Sequence, residues 1–485
     1  MEKIKRKIFF WFLVLLFFII TPIVILQAKG YRFDWHRGVF VFSGTISFKS
    51  NPQTVSAELN GVLNENKKLN RMNGAFNISG LLPMNYQLKI SAPGFNPWNK
   101  KIDVHSGISS EFWNVLLTRT DYKKTTYDST SGIEKFFTSP KNHFLAYTQT
   151  NSDGLLVKLL DLNSAITTKT FSIPGWKLLS DEKKENIEWS PDENYLSVPV
   201  EKDGASTFYI IDLTSGLITN LSDFFGKNKI QHVRWDPQEK GYFFFLEEKT
   251  LFRGDISDNK NLTAIANDIT AYELSYDSIY YIQKPNNLVF KTSLDGKAEK
   301  NQITNTFPNP NATVTRMIVY DESRIAFLDE NKDLTIYNNG EHAKYFKVIG
   351  NGILEMHFSN DGKKILFWSA NEISVYFTRD WNVQPIRQEN DLTNITRYSE
   401  ELKNIQWYKD YEHIIFSTGK YTKIIELDSR DHRNCLDLIS TMTDTPFMGY
   451  NGGLEKLFFT DTKNGTSVLT SIVFPEPVPI LNFGG

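Results

Sequence analysis

A bulky residue, a short polar turn and then an apolar strand recur along most of this chain, and that recurrence limits the folds open to it. Trp189-Ser190-Pro191-Asp192-Glu193-Asn194-Tyr195-Leu196 has a clear partner in Phe358-Ser359-Asn360-Asp361-Gly362-Lys363-Lys364-Ile365. Trp235-Asp236-Pro237-Gln238 and Trp407-Tyr408-Lys409-Asp410 repeat the arrangement, and weaker copies begin at Thr138, Leu274, Val319 and Tyr450. Each turn leads into a strand such as Tyr242-Phe243-Phe244-Phe245-Leu246 or Ile414-Ile415-Phe416. A second run follows, as in Phe208-Tyr209-Ile210-Ile211-Asp212-Leu213.

The eight starts are separated by 51, 46, 39, 45, 39, 49 and 43 residues. That is close to the ~40–45 residues of one four-stranded propeller blade. Half-buried strands at this spacing cannot cover both sheet faces unit by unit. Radial stacking covers them and leaves few exposed edges. The spacing predicts an all-β propeller over residues 132–485, with eight blades, or seven if Thr138 or Leu274 marks an irregular element. Trp189, Trp235, Phe358 and Trp407 are expected to pack between adjacent sheets rather than touch a ligand. The polar residues 120–131 form a linker or supply a closing strand. The turn resembles the Trp/Phe-Ser-Pro-Asp-Gly repeat of TolB-type (WD40-like) propellers, and not the Gly-His…Trp-Asp repeat of WD-repeat proteins. That resemblance implies a docking platform.

Ile8 to Leu26 is a run of 19 residues without a charge, with Thr21 its one polar side chain. As a helix it covers about 28 Å, close to the ~30 Å hydrocarbon core. A cleaved signal peptide has a shorter apolar region and a small-x-small site, and Leu26 stands where a small residue is wanted before Ala28. Residues 1–30 are therefore expected to be a basic tail and a retained transmembrane helix spanning 8–26. Lys3, Lys5, Arg6 and Lys7 precede the run and hold the N-terminus in the cytoplasm, while the long remainder is exported. The expectation is a single-pass cell-membrane protein, bound to the bilayer by this helix, with its bulk on the extracytoplasmic side.

Residues 38–119 alternate in short apolar patches, such as Val39-Phe40-Val41-Phe42 and Gly44-Thr45-Ile46-Ser47-Phe48. Turn signals at Asn51-Pro52, Asn60-Gly61, Pro93-Gly94 and Ser106-Gly107 separate them. About seven strands in a stretch of this length predict a small β-sandwich. Ser50-Asn51-Pro52, Glu58-Leu59-Asn60-Gly61, Leu82-Pro83-Met84-Asn85-Tyr86 and Gly94-Phe95-Asn96-Pro97-Trp98 together resemble a PEGA domain. Met84 replaces the usual glycine, and the Pro-Glu-Gly-Ala turn is absent. The resemblance implies an envelope or surface adhesion and spacer module without catalytic residues.

Chemical motifs are sparse. The net charge is −2; the first 30 residues carry +4, leaving −6 on the rest. Such a body is a poor partner for phosphate backbones, so nucleic-acid binding is not expected. Cys435, the single cysteine, excludes an intrachain disulfide, a CxxC pair and a multi-cysteine zinc site. No Gly-x-Ser-x-Gly, His-Glu-x-x-His, P-loop or Gly-x-Gly-x-x-Gly occurs. No α/β pattern follows the repeats, so a propeller-capped serine peptidase is not expected. His36, His105, His143, His232, His342, His357, His413 and His432 lack metal spacing. Asp431-His432-Arg433-Asn434 reads as a solvated loop, and Asp329-Glu330-Asn331-Lys332-Asp333 as a solvated hairpin tip rather than a calcium loop. Asp361-Gly362 misses the Ser-x-Asp-x-Gly spacing of a sialidase Asp-box.

The sequence therefore nominates no catalytic, cofactor-binding or metal-binding residue. Its first functional expectation is a non-enzymatic envelope platform for a protein or polysaccharide partner. The alternative is a carbohydrate-active or quinone-dependent enzyme with its site in the central channel. It requires inward strands to bring Asp, Glu, Arg or Tyr together at one mouth, and two carboxylates about 5–10 Å apart would favour hydrolysis. A purely structural spacer is a third class.

Overall fold

The chain enters as one long helix, α1 (Glu2–Ala28), in a computed structural model that describes residues 2–64, 67–70, 73–180 and 185–475. Its apolar window, of mean hydropathy 3.0, is not buried against any other part of the described residues. This helix is long and apolar enough to span a membrane, and Pro22 lies within it. Directly after it, β1 (Tyr31–Asp34) and β2 (Val39–Phe42) form a two-stranded sheet of their own. The patch Val39–Phe42 thus stands outside the sandwich, because Phe40 and Phe42 find cross-strand aromatic partners in Phe33 and Tyr31.

Two four-stranded sheets follow. Gly44–Asn51, Lys68–Asn70, Ala75–Leu81 and Ser109–Leu116 build one; Ser56–Leu59, Val62–Leu63, Asn85–Ser91 and Trp98–Asp103 build the other. Alternate side chains of both sheets, including Ile46, Phe48, Ile78, Leu88, Ile90 and Phe112, meet in one core. Asn60 and Gly61, both at positive φ, make the tight hairpin between Ser56–Leu59 and Val62–Leu63.

Beyond residue 124, the described residues form eight sheets in chain order. The first strands of these sheets are Phe136–Thr138, Glu188–Trp189 (preceded by Lys177–Leu178), Ile230–Trp235, Ile269–Leu274, Val314–Asp321, Glu355–Phe358, Leu402–Trp407 and Met448–Asn451. Seven of the eight repeat starts are the last or the second-last residue of such a strand, and Val319 lies two from the end of its own. Of the two roles open to residues 120–131, Thr125–Tyr127 takes the closing strand: it pairs antiparallel with Thr466–Val473 and completes the eighth sheet. Each apolar cluster in this region joins two neighbouring sheets, and the last joins the eighth to the first through Tyr127, Phe136, Leu145, Phe458 and Leu469. The sheets therefore close into a ring, a β-propeller.

The polar turns are small hydrogen-bonded knots. Ser190 Oγ accepts from the Tyr195 amide at 2.9 Å and donates to Asp192 at 2.7 Å; Ser359 and Asp361 repeat the donation at 2.6 Å. The tryptophans add a second device. Indole N–H groups of Trp189, Trp235 and Trp407 donate to carbonyls of the preceding sheet, Phe137, Glu188 and His357, at 3.0, 3.1 and 3.3 Å. These rings lie in inter-sheet clusters, so they both pack and latch.

The sandwich is docked on the ring. Lys100, completely buried, lies 2.8 Å from Glu426 and donates to the carbonyls of Asp428 and Arg430 at 2.9 Å and to that of His432. Trp98 Nε1 donates to Glu426 Oε2 at 2.9 Å. The Arg430 guanidinium covers the Phe112 ring at 3.9 Å and donates to the Glu111 carbonyl. The loop around His432, expected to be merely solvated, is the socket. His432 itself stays exposed and contributes its backbone.

Candidate functional site

Inner strands carry the polar residues of the ring. In Ile230–Trp235, the side chains of Ile230, Val233 and Trp235 are buried between sheets. A bulge between Gln231 and Arg234, with His232 at φ +52°, turns His232 and Arg234 toward the channel. The same position recurs at Glu188, immediately before Trp189, and at Glu273, immediately before Leu274. Together with Tyr272 and Arg316 they line a cavity of about 840 Å³ against the second to fifth sheets. The Asp329–Lys332 hairpin tip borders it, and there Asp329 accepts from the Asn331 and Asp333 amides, both at 2.9 Å. A second hollow of about 430 Å³, lined by Phe136, Phe137, Trp189 and Tyr450, shares Glu188 with the first. One wall of the channel is charged and the next is aromatic.

Arg234 organises the charged wall. Its Nη1 lies 3.4 Å from Glu185 and 3.6 Å from Glu188, and donates to its neighbour's Val233 carbonyl at 2.9 Å. Glu185, buried, also holds His232 Nδ1 at 2.6 Å and accepts from the His232 amide at 3.0 Å. Arg316 pairs with Glu355 at 3.0 Å in the next part of the ring. The Tyr272 hydroxyl donates to the His232 carbonyl. Among the described residues, Glu188 Oε2 and Thr270 Oγ1 find no hydrogen-bond partner.

The environment separates the two carboxylates. Burial works against the charge of Glu185, but His232 and Arg234 outweigh it and hold the group below the ordinary glutamate range. Glu188 has Arg234 at longer range and Glu273 and Glu185 beside it, so burial dominates and pushes it up to about 7. About a third of its side chain nevertheless faces the channel. Burial also raises Glu273. His357 is lowered by burial, with Arg316 adding to the effect against Glu355. One carboxylate is thus ionised at neutral pH, and another nearby exchanges its proton there. Such a pair can hold a ligand by charge and pass a proton to it.

The histidines are dispersed. His232 lines the cavity and His357 packs edge-on against Trp368 at 5.3 Å, whereas His143 and His413 pair with Glu193 and Asp410 at 3.0 and 2.7 Å. His36, His105, His342 and His432 are exposed. Among the described residues no three His, Cys, Asp or Glu side chains are grouped to hold a metal ion. Sequence reasoning missed Glu185, Glu188, Arg234, Tyr272, Glu273, Arg316 and Glu355. A usable signal was present: the residue before a repeat start lines the cavity in three successive sheets, where it reads Glu188, Arg234 and Glu273.

No protein-family profile matches the chain, and no curated protein matches it. Among solved structures, it is similar to the Dos1 propeller, with 10% identity, a TM-score of 0.47, and coverage of 73% of this chain and 95% of that one. It is also similar to the β-propeller domain of Cps50 (Swd1) from Myceliophteria thermophila, with 12% identity, a TM-score of 0.38, and coverage of 73% of this chain and 98% of that one. The propeller architecture of this chain follows from its own closed ring of sheets.

Proposed function

We propose that this chain is a single-pass cell-membrane protein whose exported body presents a protein or glycan interaction platform. The body comprises a PEGA-like sandwich within residues 38–119, beginning after the hairpin strand Val39–Phe42, and an eight-bladed TolB-type propeller within residues 132–485 that takes its closing strand from the 120–131 segment. The observation that carries the reading is the open channel, where Glu185 and Glu188 of the second sheet, Arg234 of the third and Arg316 of the fifth line one cavity beside an aromatic wall. Mixed charge next to apolar surface suits recognition of a partner's polar groups. The test is affinity capture from solubilised membranes with the intact chain and with an Arg234→Ala/Arg316→Ala variant. The intact chain should retrieve an envelope protein or polysaccharide that the variant loses. Retrieval of nothing, or identical retrieval by both, overturns the reading. Protease added to intact spheroplasts should digest the propeller and leave a membrane-bound N-terminal stub; a protected propeller reverses the topology.

A second reading is favoured by the divided carboxylates. Glu188 would act as the acid and Glu185 as the ionised partner in a channel enzyme acting on glycans. Turnover of an envelope polysaccharide that is lost in Glu188→Gln would establish it; a flat response across such polysaccharides would remove it.

A further inference from the structure

Between the membrane helix and the sandwich stands a hairpin whose surface suits a lipid better than water. Tyr31 pairs with Phe42 and Phe33 with Phe40, so four rings share one face. Trp35, at the tip, lies 4.7 Å from Phe33 and is 85% exposed. The opposite face carries Arg32, whose guanidinium is laid against Gly80 of the sandwich. The aromatic row continues onto the sandwich: the Phe42 ring lies against Gly107, next to an exposed Ile108.

The hairpin is also fixed in place. Asp34 Oδ1 accepts from the His36 and Arg37 amides at 2.9 and 3.2 Å, which holds the tip. Ser43 donates to the Gly30 carbonyl from its amide at 3.0 Å and its hydroxyl at 2.7 Å, which closes the base two residues beyond α1. No spacer separates the apolar span from the rings. A four-residue strand covers about 13 Å, about twice the 5–7 Å by which the headgroup region extends beyond the hydrocarbon, so the hairpin keeps Trp35 in that region by lying along the bilayer surface. Lys29, Arg32 and Arg37 against Asp34 give this segment a positive balance, complementary to anionic headgroups. Tryptophan and tyrosine rings favour that depth because one end of each is apolar and the other wet.

We propose that the hairpin Tyr31–Phe42 is a second membrane contact, seated in the headgroup region of the leaflet on the side of the exported body, with Trp35 inserted. The proposal rests on the reading of α1 as a retained anchor. Its consequence is orientation. The sandwich is held to the hairpin and the propeller to the sandwich, so the channel takes a defined tilt over the bilayer.

The test uses the full chain carrying Cys435→Ser, in nanodiscs containing phosphatidylglycerol at one copy per disc. An environment-sensitive fluorophore is attached in turn to Trp35→Cys, to Phe17→Cys within α1, and to Lys297→Cys on the propeller. The Trp35 probe should emit to the blue of the Lys297 probe and be quenched by lipids carrying a nitroxide near the headgroup. A Trp35 probe that matches Lys297 while the Phe17 probe is quenched overturns the hairpin contact and leaves the anchor standing. If the Phe17 probe also matches Lys297, the anchor reading falls and the proposal with it. A blue shift without lipid quenching means that protein covers the ring, whether a second copy or a partner, and overturns the proposal. Phe42→Cys, on the ring face of the adjacent strand, gives the same readout if Trp35→Cys does not fold.

Discussion

Lys100 of the sandwich and Glu426 of the propeller form a buried ion pair at 2.8 Å, with both side chains nearly inaccessible to solvent. The same carboxylate accepts from Trp98 Nε1 at 2.9 Å and from the Asn434 amide and side chain at 2.7 and 2.9 Å. A buried charge is tolerable only when fully paired, and removing one partner strands the other at a cost of about 3–5 kcal/mol. Lys100→Met and Glu426→Gln should each lower the urea midpoint of the solubilised chain, and the double variant should lose less than the two single losses added. Strict additivity would mean that the two groups do not stabilise one another.

The tryptophan latches make a separate prediction. Trp235→Phe keeps a ring in the cluster with Tyr195 and Phe243 but leaves the Glu188 carbonyl without its donor. The expected loss is about 1–3 kcal/mol, against about 3–5 kcal/mol for Trp235→Ala, which also leaves a cavity. Phe358 has no such donor and leans on Tyr320 at 5.9 Å, so Phe358→Tyr should change little. Equal losses in Trp235→Phe and Trp235→Ala would assign the whole effect to the hydrogen bond.

The ring was legible because each sheet has the same problem to solve. The repeat starts at Trp189, Trp235 and Trp407 mark where an inner strand ends, and the Ser-Pro-Asp turn announces a bonded knot. The channel was not legible as a site, because each sheet contributes only one or two of its residues. Glu188 and Arg234 are 46 residues apart and meet only when the second and third sheets pack together. The socket around His432 was hidden for another reason. Part of its work is done by the backbone carbonyls of Asp428, Arg430 and His432, which no side-chain pattern encodes. The hairpin's second strand, Val39–Phe42, looked like a sandwich strand because alternation describes any half-buried strand, whatever covers it.

Glu188 should give the channel a pH signature. Its folded value near 7 lies above the ordinary 4.5, so the native state binds its proton more tightly than the unfolded chain does. This group's contribution is fully present below about 4.5 and is lost as pH rises through about 7. Glu188→Gln keeps the shape without the charge. The advantage of the variant in thermal midpoint should therefore be larger at pH 8 than at pH 5. A constant difference would place Glu188 in ordinary solvent.

The last prediction joins the outer turn of the seventh sheet to the sandwich. His413 lies buried with Nδ1 2.7 Å from Asp410. Burial disfavours its charge, but Asp410 outweighs this, with Glu426 and Glu412 adding, so the imidazole stays above its ordinary 6.5. Asp410 moves the opposite way, below 3.8, because His413 and two backbone amides overcome its own burial. The histidine's stabilisation is complete below 6.5 and is lost as pH rises through its higher folded value. The aspartate's is complete above 3.8 and is lost as pH falls through its lower one. The pair therefore contributes most between about 4 and 6.5, and the destabilisation caused by His413→Asn should peak in that window. Glu426, the partner of Lys100, sits directly across the strand pair from His413. Lys100→Met removes a cation from that neighbourhood, so the His413 midpoint, followed by the NMR shift of its Cε1 proton, should rise. An unmoved midpoint would show that the turn does not sense whether the sandwich is locked in place.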